Sequence, residues 1–275
     1  MELTNKLPKF RHPPLIEVVH GVQFPRLKMN ITHPGKFFLE LRDRFPRAQT
    51  VPPLMPAWEM LDSPNGQGQP MFYMPAVNDL PRAWFISNDD TMLVQFQPDR
   101  LLLNWRRGQD GQEYPHFDTV AAEFASIYAT LERFACSEEI GAVEPDQCEM
   151  TYINHLPLAA DGSPFGRPEE YLRIFALKNG PEWTALPEDM GATLRYLLRS
   201  ESGEAFGRLS AKAMPVEVPT GTGGSIHLEI TARGLPRNKG FDGVEAFHLA
   251  AHEAIVRCFT AITTPAAHEK WERYQ

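Results

Sequence analysis

Cysteine is scarce. The chain of 275 residues holds three, Cys136, Cys148 and Cys258, widely spaced and odd in number. That excludes a disulfide framework, and with no C-x-x-C pair it excludes a zinc knuckle. A reducing, cytoplasmic setting is the expectation. No run approaches the roughly 18 apolar residues of a membrane-spanning helix, and Met1–Pro8 lacks the apolar core of a signal peptide. The strong catalytic signatures are missing too. There is no G-x-S-x-G elbow, no H-E-x-x-H helix and no G-K-[ST] phosphate loop. With 27 basic and 35 acidic residues the net charge is -8, which excludes a basic nucleic-acid footprint over the whole surface. No cofactor motif is present, so no cofactor is expected.

What is present is globular: 43% hydrophobic and 23% charged residues, which excludes wholesale disorder. Residues 1–14 read as an extended tail. The β-branched run Leu15–Phe24 reads as a strand, and Pro34 opens a helix through Phe37, Phe38, Leu41 and Phe45. Residues 46–81 carry eight prolines, a density that breaks helices and central strands, so a long irregular insertion is expected. Three strands follow at 83–87, 91–97 and 100–106. A helix then carries the stripe Phe117, Val120, Phe124, Ile127, Tyr128, Leu131 and Phe134. The order recurs: a strand in 147–158, a helix from Pro168, strands at 193–200, 206–216 and 225–232, and a helix over 241–263. The expected fold is α+β, in two halves (15–140 with its insertion, and 141–275). Each half reads strand, helix, three strands, helix. Together they would build an antiparallel sheet with the long helices on one face and the other face open.

Few residues suggest chemistry. His248 and His252 stand four apart on one helix face and could grip a metal, with His227 or Glu253 as a further ligand of a metal-dependent hydrolase. The plainer reading is one core and one solvated imidazole. His20 and His155 occupy matching points in the first strand of each half, and read most simply as two separate imidazoles. Arg100, Trp105, Arg106 and Arg107 are the densest basic cluster of the first half. They could stack on and fork onto a planar or anionic ligand, nucleic acid included. Trp58, Phe72 and Tyr73 punctuate the insertion and are candidate partner contacts. Trp271 and Tyr274 share a face near the C-terminus, which suits docking onto a second copy or onto this chain's own domain.

The run Pro13-Pro14-Leu15-Ile16-Glu17-Val18-Val19 with Val22-Gln23-Phe24, then Thr151-Tyr152-Ile153-Asn154, then His252–Pro265, resembles in order a sporadically distributed bacterial family of unknown function. That family opens P-P-[IL]-x-E-[AV]-[VI] followed by V-x-F. His20 and His155 depart from its pattern. The resemblance brings no catalytic residues. It implies an accessory component of a mobile or defence-associated system. The residues themselves favour a non-enzymatic binding protein for a protein, peptide or small ligand, with a homodimer or stable partner complex, and no membrane.

Overall fold

The computed structural model describes residues 6–62, 80–108, 113–158, 167–176, 190–217 and 224–275, and the backbone at 67–68. The elements run β1 (Leu15–Gln23), α1 (His33–Leu41), β2 (Arg47–Val51), β3 (Trp58–Glu59), β4 (Gln67–Gly68), β5 (Arg82–Ile86), β6 (Met92–Gln97), β7 (Arg100–Arg106), α2 (Phe117–Ser137), β8 (Gln147–Pro157), β9 (Ala192–Arg199), β10 (Ala205–Glu217), β11 (Gly224–Gly234), α3 (Gly240–Ile262) and α4 (Pro265–Lys270). Nine strands form one antiparallel sheet in the order β2-β5-β6-β7-β1-β8-β11-β10-β9, while β3 and β4 pair separately. The α+β class read from the pattern is therefore correct. Among the described residues no helix is long and apolar enough to cross a membrane.

Period two sorts the strand residues onto two faces. Val18, His20 and Val22 of β1 stand on the face that also carries Leu101, Leu103 and Trp105 of β7 and Met150 and Tyr152 of β8. The opposite face carries Glu17, Val19 and Gln23, beside Arg106, Asn104 and Arg100. The apolar face is the core. α3 packs on β8, β10 and β11, and α2 packs on β7 and against α3. The stripe read for α2 is buried from Val120 to Phe134, and that of α3 from Val244 to Phe259. Gly234 marks a close backbone approach in the sheet: a Cβ there would sit 2.2 Å from the Phe206 carbonyl oxygen.

Two expectations are corrected. The insertion is not irregular throughout, because the proline-free stretch between Pro46 and Pro52 pairs with β5 as the sheet's edge strand β2. The segment from Pro168 forms no α-helix but two 3₁₀ turns, 168–170 and 173–175. So short a segment is a marginal helix. Tertiary bonds hold it instead, with Leu172 bridged to Thr263 and the Thr264 amide donating to the Tyr171 carbonyl.

Candidate functional site

A well-formed hollow lies on the core face. It is a cavity of about 510 Å³ walled by α3, the start of α2, the strands β1, β8 and β11, and the chain's two ends. That volume suits a small organic ligand. Leu15, Ile230, Ile255, Val256, Phe10 and Phe259 give it an apolar wall. Its roof is a clasp between residues 9–12 and residues 271–275. The Lys9 amide donates to the Gln275 carbonyl, the Tyr274 amide to the Lys9 carbonyl, and the His12 amide to the Trp271 carbonyl.

Polar groups converge in one place. Tyr152 Oη lies 2.7 Å from His252 Nδ1 and 3.4 Å from Tyr114 Oη. Phe117 stacks on the His252 ring at 4.4 Å between centroids with planes 13° apart. Tyr152 and Asn154 reach the cavity because alternate residues of β8 face the core. Tyr114 arrives from the turn ahead of α2, with its ring edge-on to Trp105 at 5.0 Å. Burial drives the His252 imidazole down from the ordinary 6.5 to about 4, against the raising effect of Asp118 and Glu253. Burial also raises the Tyr114 and Tyr152 phenols. At neutral pH the three groups are uncharged.

A histidine pair, His20 and His248, sits behind this wall. His248 Nε2 lies 3.1 Å from the Gly21 carbonyl oxygen, which can only accept, so Nε2 carries the proton. Burial lowers His248 to about 4, so Nδ1 is bare. It can therefore only accept, from His20 Nδ1 at 3.4 Å. That leaves His20 Nε2 as a buried lone pair without a partner.

His248 and His252 thus share a helix but not a target. Both nitrogens of His248 are taken by Gly21 and His20, while His252 turns to Tyr152. His227 stands on the opposite sheet face, 3.4 Å from His155, and Glu253 pairs with Arg257. Among the described residues no group of three His, Cys, Asp or Glu side chains could hold a metal. His20 and His155 do not meet, because the β1–β8 register sets His20 opposite Met150.

The basic cluster is dispersed by alternation. Trp105, expected beside its arginines, is 2% exposed and points into the core. Arg106 reaches the Asp90 carbonyl and Arg107 the Pro13 carbonyl. Arg100 is buried on the opposite face beneath the insertion. That face, expected to be open, is crossed at one end by residues 54–60. Gln97 bonds both the amide and the carbonyl of Leu54, and Gln23 both those of Ala57. Arg100 donates to the Met55 carbonyl, the Glu59 amide donates to Gln147, and the Glu59 carboxylate accepts from Arg208 at 2.6 Å. The strap is held by its main chain, which leaves Trp58 42% exposed. Phe72 and Tyr73 lie outside the described residues. Sequence reading missed Tyr114, Tyr152 and Asn154. The signal for the last two was two polar tips, spaced by two, on the apolar side of a central strand.

No family model matches the chain, and no curated protein matches it. Among solved structures, the di-domain ARO/CYC StfQ from the steffimycin biosynthetic pathway is 9% identical over 90% of this chain and 100% of that one, with a TM-score of 0.15. A score that low carries no argument about fold or function.

Proposed function

We propose that this chain is a non-enzymatic binding protein whose core-face cavity takes a small, largely apolar molecule. The observation behind the reading is an apolar hollow of about 510 Å³ with one focus of polar groups at Tyr114, Tyr152 and His252. Apolar walls supply affinity, and a few placed polar groups supply orientation. The proposed architecture goes with it. The halves are structural repeats, β5-β6-β7-β1 mirrored by β9-β10-β11-β8 about the β1–β8 seam, with the long helices on one face. The cavity then lies where the two repeats meet.

The neutral fluorescent probe N-phenyl-1-naphthylamine tests this reading. It should bind saturably at one site, and Val256→Phe, which fills the hollow, should weaken it by about tenfold. Absence of saturable binding, or binding indifferent to the filled cavity, would overturn it.

A second reading has one observation in its favour. The strap presents Met55, Trp58 and Met60 at 43%, 42% and 52% exposure, an apolar edge suited to a protein partner. Trp58→Ala would remove such a contact and leave cavity binding unchanged.

A further inference from the structure

We infer that the cavity's ligand is an uncharged molecule with a flat apolar body and one hydroxyl or carbonyl oxygen, which docks on the Tyr114–Tyr152–His252 chain. This rests on the reading that the cavity binds a small molecule.

The argument begins with protons. Tyr114, Tyr152 and the neutral His252 are linked in series by two contacts, of 3.4 and 2.7 Å. Each residue brings one mobile proton, and two contacts consume two of the three. One donor is always left over within the chain. If Tyr152 donates to His252 Nδ1, the imidazole keeps a free Nε2–H. If His252 donates to Tyr152, Nε2 is a free acceptor and the spare hydrogen stays on one of the two phenols. No described residue bonds to Nε2 of His252, and that ring lines the cavity. The chain therefore meets a carbonyl in one direction and a hydroxyl in the other. Either way, both partners of the bond stay neutral.

Charge narrows the class. The two charged lining residues, Lys9 and Asp118, are both exposed at the rim. The interior offers no cation to a carboxylate or phosphate and no anion to an amine, and a buried unpaired charge is expensive. Burial holds His252 unprotonated and the phenols undissociated, so the chain does not supply the missing charge. Shape narrows it further. Phe10, Tyr114, Phe117 and Phe259 bring aromatic rings to the wall, which suits a flat body.

The test is a series of probes of one shape: naphthalene, 2-naphthol, 2-acetylnaphthalene and the 2-naphthoate anion. Each competes with N-phenyl-1-naphthylamine on the full chain. Naphthol and acetylnaphthalene should each bind about tenfold or more tighter than naphthalene and than naphthoate. In His252→Leu the preference over naphthalene should fall to within about twofold. If His252→Leu melts early, His252→Phe, which keeps a flat ring against Phe117 and removes both nitrogens, reads the same ratio. Equal affinities across the series, tighter binding of naphthoate, or a preference that survives in a folded variant would overturn this inference while leaving the cavity reading intact. Failure of every probe, N-phenyl-1-naphthylamine included, would instead remove the cavity reading.

Discussion

Three imidazoles, His20 and His248 buried and His252 half-buried, tie the stability of the core to pH. Burial lowers all three, and at His20 the neighbouring His248 and His252 add to the effect. The unfolded chain then binds protons that the folded chain refuses. The histidine contribution is complete above about pH 6.5 and is lost as pH falls toward about 4. The depression at His248 corresponds to about 3 kcal/mol when fully expressed. Glu132 and Asp146, whose carboxyls are raised by burial, act in the opposite sense at the acid end. Urea midpoints should therefore be clearly lower at pH 5 than at pH 7.5, and His252→Asn should flatten the difference. Coincident midpoints would sink the idea.

The strap over residues 54–60 has little regular structure of its own, only the two-residue strand β3 at its end. Side-chain amides from β6, β1 and β8 replace the ladder it lacks: Gln97 at Leu54, Gln23 at Ala57 and Gln147 at Glu59. A main-chain amide and carbonyl lose both partners together in Gln97→Leu. Each orphaned group costs about 1–3 kcal/mol. The Leu54 amide should then exchange with solvent hydrogen at least about tenfold faster, while amides in β8 keep their protection. Unchanged exchange at Leu54 would mean that the strap is held by something other than Gln97.

At the scale of the whole molecule residues 9–12 close on residues 271–275 and on the core. Trp271 is 6% exposed, with its ring 5.2 Å from Phe259, 6.0 Å from Tyr171 and 6.1 Å from Phe10. Of the two uses read for the tail, docking on its own domain is the one Trp271 serves. Tyr274 alone of that pair stays outside, at 56% exposure. Trp271→Ala should lower the melting temperature by about 6 °C or more, since emptying a buried indole costs about 3–5 kcal/mol. Light scattering should give the same mass for both proteins. A mass that falls with the substitution would move the tail back to a contact between copies.

Alternation and helical stripes made most of the sheet, both long helices and their buried faces legible, because period and burial are local properties of a pattern. Leu101, Leu103 and the α2 stripe needed no partner to be recognised. Strand order and register are not local. They decide that His20 meets His248 from 228 residues away, that His227 and His155 meet on the far face, and that Trp105 turns from its arginines. Proline density located the insertion but could not show that three glutamines on separate strands would seize its backbone. Tyr152 and Asn154 were visible as polar tips on an apolar face. Only packing brought Tyr114, from the turn before α2, and His252, from α3, to meet them. A hydrogen-bonded chain needs its members within hydrogen-bond reach of one another, and that distance is set by how helices and sheet stack, which no run of residues contains.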